Sequence, residues 1–244
     1  MRILVLLFAL AMPAIAWMSQ NRMFGPNNAT ISEQYPTLLV AAGYAFAIWG
    51  LIFLWDIAFA LWQLRERSPA VARVRPAAAA GFALTAAWLP IFSMQVFWLA
   101  LLVIWAALAC MAYCALALSR DRASSPQQRW WAWAPLSLHA GWLSLAAFLN
   151  TAQVIVAYGL LSTERMLGWS MVLFAALAAL LLVLNGRMRG NLGYALAAVW
   201  GLAAVFVKQS QWSLPGSSTA AWVALALAVG LVGQSLWLWA RTER

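Results

Sequence analysis

Eight long apolar runs divide the chain, at about residues 3–18, 37–64, 77–95, 97–118, 135–160, 167–185, 191–208 and 219–240. Crossing a bilayer as a helix takes about 20 apolar residues, and each run is close to that length. The runs are continuous and rich in Leu and Ala. Strands of a membrane barrel would instead show short alternating segments. The pattern predicts an all-α, polytopic transmembrane helix bundle of eight spans. The third and fourth runs meet at a tight turn near Ser93 to Phe97, and Pro90 is expected to kink the third helix. No soluble domain fits between any two runs. The most polar stretch, NRMFGPNNATISEQYP, joins the first two; its Gly25-Pro26-Asn27-Asn28 turn predicts a short helix from Thr30.

Composition agrees with the pattern. Hydrophobic residues make up 66% and charged residues 9% of the chain, and a soluble domain has nowhere to bury that much apolar surface. The formal charge of +9 would suit a nucleic-acid partner if the basic residues were clustered. They lie in short loops instead, where they act as topology signals. With the N-terminus in the cytoplasm, the inward loops and tails hold Arg2, Arg65, Arg67, Arg73, Arg75, Arg120, Arg122, Arg129, Arg187, Arg189, Arg241 and Arg244. Only Arg22, Arg165 and Lys208 fall outside. This partition holds for eight spans with both termini cytoplasmic, and adding or removing one would scramble it. The opening MRILVLLFALAMPAIAW has the charge and small residues of a signal peptide; it is expected to remain as the first span.

Few residues carry chemistry. Asp56 lies inside the second run, where a carboxylate costs about 2.5–3.5 kcal/mol on insertion scales. It is expected to face the bundle, either as a polar contact in a ligand cavity or as a hydrogen bond to a neighbouring helix. His139, the one histidine, lies about one turn into the fifth run at similar depth and is the candidate partner. Asn150 and Gln153 stand three apart on one helix face and can line a pocket with Trp142 or bond to other helices. Of 17 tryptophans, many fall at interfacial depth. Trp49, Trp88 and Trp142 do not, and their flat faces suit a flat apolar ligand. Cys110 and Cys114 share a helix face and read as small packing residues. One histidine and two cysteines exclude an ordinary metal site. No Ser-His-Asp set, Walker loop or dinucleotide turn is present, so no enzyme is expected and no cofactor is required.

Three stretches resemble the TspO family, the tryptophan-rich sensory proteins related to the mitochondrial translocator protein. They are Ala41-Ala42-Gly43-Tyr44-Ala45-Phe46-Ala47-Ile48-Trp49, Thr85-Ala86-Ala87-Trp88-Leu89-Pro90-Ile91-Phe92 and Trp142-Leu143-Ser144-Leu145-Ala146-Ala147-Phe148-Leu149-Asn150. Their order agrees with that family. Ala41-Ala42 stands where the family has a Pro pair, and the spacing from Tyr44 to Trp49 is one residue shorter. The resemblance implies a five-helix core over residues 1–160. Residues 161–244 form an additional three-helix segment without counterpart in the minimal family.

The resemblance further implies a binding or sensory protein of a bacterial inner membrane. It would take a porphyrin or a sterol-like lipid between helices, and it would often be a dimer. The ligand-facing candidates are Tyr44, Phe46, Trp49, Asp56, Trp88, His139, Trp142 and Asn150. Two alternatives stay open: a small transporter using Asp56 and His139, and an accessory subunit of a larger membrane complex.

Overall fold

The computed structural model describes residues 1–121 and 124–242. Arg122 and Arg244, counted above with the basic loops, lie outside the described residues. Among the described residues all regular structure is helical, and eight helical stretches are long and apolar enough to cross a membrane. The protein is an integral membrane helix bundle.

The first crossing, α1 (Arg2–Gln20), packs against the second and third. A short helix, α2 (Asn28–Gln34), follows. Asn27 starts it, its side chain accepting from the Thr30 amide at 3.0 Å, so one orphan donor of the first turn is satisfied. The second crossing is a 3-10 turn over Gly43–Ala47 leading into α3 (Ile48–Trp62). Helix α4 (Pro69–Ser93) has Pro at its first position and runs unbroken through Pro76 and Pro90. A turn with Gln95 at φ 59° leads to α5 (Phe97–Ser119). The fifth crossing is assembled from α6 (Pro126–Gln128), a π-helical turn over Arg129–Trp133, and α7 (Ala134–Ala157). Helices α8 (Met166–Arg187), α9 (Leu192–Ser210) and α10 (Ser217–Thr242) complete the chain. Asn191 caps α9 through the Tyr194 amide at 3.1 Å.

Three expected boundaries are corrected. The second helix does not start at residue 37. Residues 37–42 are non-helical although Thr37 to Ala41 are buried. Non-helical backbone at membrane depth survives only if its polar groups are bonded. Here Ala42 donates to the Ala204 carbonyl at 3.0 Å. Gln209 Nε2 donates to the carbonyls of Thr37 and Val40 at 3.1 and 3.3 Å. The third helix begins at Pro69, not near 77, because Arg73 and Arg75 sit on a helical extension. Arg75 is buried at the end of the bundle, donating to Gln63 Oε1 at 2.8 Å and to the Glu66 carbonyl at 2.6 Å. The fifth helix begins about nine residues early, since Pro126 and the Ser125 cap nucleate it.

Helix α7 is the axis of the molecule. It packs against α3, α5, α8 and α9, and nearly all of its residues from Ala134 to Val154 are buried. Helices α4 and α5 pair closely, as do α9 and α10. Two small residues set the helix spacing. At Gly141 the α7 backbone touches the backbone of Tyr194 in α9, and Gly201 of α9 receives the side chain of Leu145.

Candidate functional site

Residues His139, Trp142, Ala146, Asn150 and Gln153 follow one another on α7 at steps of three and four. That spacing puts them on one stripe, which faces α3, α4 and α2.

At the N-terminal end of the stripe, His139 Nδ1 lies 2.8 Å from Asp56 Oδ2, and both side chains are fully buried. His139 Nε2 lies 3.2 Å from Thr85 Oγ1 on α4. The Phe82 ring stacks on the imidazole, its centroid 6.0 Å away and 9° from parallel. Asp56 Oδ1 has no partner. The hydroxyl–imidazole–carboxylate order is that of a hydrolase triad, an arrangement that no sequence spacing announced. Thr85 is 1% exposed and does not line the neighbouring cavity, so nothing brings a substrate carbonyl to its oxygen. The three groups instead form a hydrogen-bonded chain that holds an ionisable pair inside the membrane, where an unpaired charge costs several kcal/mol.

Further along the stripe the side chains are aromatic. Trp49 meets His139 and Trp142 edge-on, with centroids at 5.7 and 6.0 Å, and stacks on Phe53 at 5.1 Å. Phe46 meets Trp142 edge-on at 6.2 Å. Trp88 Nε1 donates to Asn150 Oδ1 at 3.1 Å and its ring stacks on Phe92 at 4.8 Å. Between these groups lies a cavity of about 20 Å³, walled by Phe46, Trp88, Phe92, Trp142, Ala146, Leu149, Asn150, Gln153 and Ser32. Ser32 belongs to α2, and Gln153 Nε2 donates to its hydroxyl at 3.1 Å. A second cavity of about 30 Å³ lies across Ser32 and Phe46, with Glu33 and Lys208 in its wall.

Two donors on the cavity wall have no protein partner: Trp142 Nε1 and Asn150 Nδ2. Both residues wall the same cavity, and both are almost fully buried. Trp49 Nε1 is also unpartnered. Leaving a buried donor unmet costs about 1–3 kcal/mol, so two on one cavity mark a place for an acceptor.

Of the residues singled out in the sequence, Asp56 and His139 are paired. Phe46, Trp88, Trp142 and Asn150 line the cavity, and Trp49 stands between the two groups. Tyr44 is placed elsewhere: it is 47% exposed and sets its ring against Trp200 at 5.5 Å. The 3-10 turn over Gly43–Ala47 turns it outward while Phe46 turns in. Sequence reasoning passed over Thr85 and Ser32. Thr85 had a signal, a polar residue three before Trp88 on an Ala-rich helix. Ser32 had none, since its partner lies 121 residues away. Among the described residues no three His, Cys, Asp or Glu side chains gather as a metal set.

No curated protein and no solved structure matches the chain. A family model described as TSPO-like protein matches residues 2–237. That match takes in the first seven crossings and reaches to residue 237 of the eighth, and the chain belongs to the TSPO-like protein family.

Proposed function

We propose that the protein binds a flat apolar ligand bearing a hydrogen-bond acceptor, such as a porphyrin or a sterol-like lipid, between α2, α4, α7 and the turn before α3. The observation that carries this reading is the pair of orphan donors, Trp142 Nε1 and Asn150 Nδ2, on the wall of one aromatic cavity. The rings of Phe46, Trp88 and Phe92 offer faces and edges for a planar partner. The positive-inside rule supports an orientation with the arginine-rich end in the cytoplasm.

The cavity as it stands has room for about one water, whereas sites for drug-sized ligands span about 300–1,000 Å³. A ligand of that size therefore requires a wall to move. Helix α2 is the wall suited to this. It is seven residues long and meets α7 through the Ser32–Gln153 hydrogen bond. Displacing Ser32 and Phe46 merges the two cavities and opens a route past Lys208.

The test is a titration of the purified protein with protoporphyrin IX, following tryptophan fluorescence and the porphyrin absorption band. Saturable quenching is expected, weakened about tenfold by Trp142→Phe or Asn150→Ala, the effect of about 1.4 kcal/mol for one lost hydrogen bond. Unchanged affinity in both variants would remove the pocket assignment.

A further inference from the structure

The Asp56–His139–Thr85 chain lies outside the cavity but is joined to it through Trp49, which touches both His139 and Trp142 edge-on. The chain can exist in two charge states without changing its geometry. With a neutral ring, Nδ1–H donates to Asp56 and the Thr85 hydroxyl donates to Nε2; the group carries one negative charge. With one proton more, Nε2–H donates to Thr85 Oγ1, and the group is neutral overall. A hydroxyl serves equally as donor or acceptor, so the hydrogen bonds at 2.8 and 3.2 Å persist in both states.

Burial leans toward the neutral state, and among the described residues no fixed charge lies close enough to set the balance by itself. On α4 the charged group facing this way is Arg75, held at the far end by Gln63 and the Glu66 carbonyl. Helix α5 brings the thiols of Cys110 and Cys114, and α1 brings Arg2 at its first residue. The π-helical turn brings Arg129, which is exposed, and the 3-10 turn brings the exposed Tyr44. Apart from Asp56 and His139, α3 and α7 carry no other acidic or basic side chain. Tyr194 of α9 is occupied with Ser144 at 2.9 Å.

We infer that Asp56 and His139 form an intramembrane proton-binding site whose loading is linked to an acidic ligand in the neighbouring cavity. A carboxylate accepting from Trp142 Nε1 and Asn150 Nδ2 sets a second negative charge two rings away, where charges are poorly screened. It favours the neutral, proton-loaded state, so ligand and proton enter together. By reciprocity the loaded site binds the acid more tightly. The inference rests on the ligand site proposed above and names its ligand class as a carboxylic acid.

The experiment compares protoporphyrin IX with its dimethyl ester. Proton uptake on binding is counted by calorimetry in buffers of different ionisation enthalpy, between about pH 5 and 8. The wild type is expected to take up about one proton per acid bound, and its affinity to rise by up to about tenfold per unit fall in pH. The ester is expected to bind without uptake. Asp56→Asn, and independently His139→Gln, are expected to abolish uptake and flatten the pH profile. Binding of the acid with no proton exchange overturns the inference. So does equal uptake with the ester, and so does uptake that survives in both variants, since that proton belongs to the ligand's own carboxyl. Absence of saturable binding by either probe removes the ligand site itself and the linkage with it, a result distinct from binding without protons.

Discussion

Gly141 of α7 lies directly against the main chain of Tyr194 in α9, and a Cβ added there would overlap the Tyr194 carbonyl. The two helices therefore touch backbone to backbone at the centre of the bundle. Gly141→Ala is expected to lower stability by about 1–3 kcal/mol, the cost of overpacking. Gly168→Ala is its control, because a Cβ there meets nothing within 4 Å; on an exposed helical turn it should be neutral or stabilising by about 0.5–1 kcal/mol. Thermal unfolding in detergent checks both, and equal midpoints for the two variants would refute the contact.

Trp88 and Trp105 each give one indole hydrogen bond to α7, to Asn150 at 3.1 Å and to Thr151 at 3.2 Å. Only the first borders the cavity. Trp88→Phe and Trp105→Phe are expected to cost similar stability, about 1 kcal/mol. Only Trp88→Phe should weaken protoporphyrin binding, because it frees the Asn150 amide to turn. Parallel titrations decide, and equal loss in both would place the ligand elsewhere.

Helix α2 is expected to loosen in Gln153→Ala, which removes the donor to Ser32. Hydrogen exchange of amides 29–34 should quicken while the middle of α7 stays protected. Ligand association should also become faster. Unaltered exchange in α2 would mean that other contacts hold it.

The Asn191 side chain accepts from the Tyr194 amide and donates to Ser119 at 3.1 Å and Ser137 at 2.7 Å, with a longer contact to Met188 Sδ at 3.9 Å. It ties the start of α9 to α5 and α7. Asn191→Ala is expected to cost about 1–3 kcal/mol, as it removes a helix cap and takes the partner of the buried Ser137 hydroxyl. A detergent melting curve matching the wild type would refute this.

The eight crossings were legible because a run of about 20 apolar residues is a signal written along the chain itself. The pairing of Asp56 with His139 was legible for a related reason, since depth follows from distance to a span's end. What failed did so where the deciding partner is remote. Residues 37–42 are as apolar as a helix, and only Gln209 and Ala204 reveal that their backbone is bonded sideways. Tyr44 and Phe46 differ by two positions, and only the 3-10 geometry of Gly43–Ala47 sends one out and the other in. Arg73 and Arg75 read as a loop by charge, yet a helix can project past the apolar run and carry them.

The bonds from Ala204 and Gln209 to the stretch before α3 also impose an order in time. Thr37 leaves the ribosome 172 residues ahead of the glutamine that satisfies its carbonyl. At synthesis rates of about 5–20 residues per second, that is a wait of roughly ten to thirty seconds. Until then the unwound stretch has only its local turn bonds, such as that from the Val40 amide to the Thr37 carbonyl at 3.3 Å. The stretch before α3 therefore gains its full set of bonds only when the seventh crossing, α9, has been inserted.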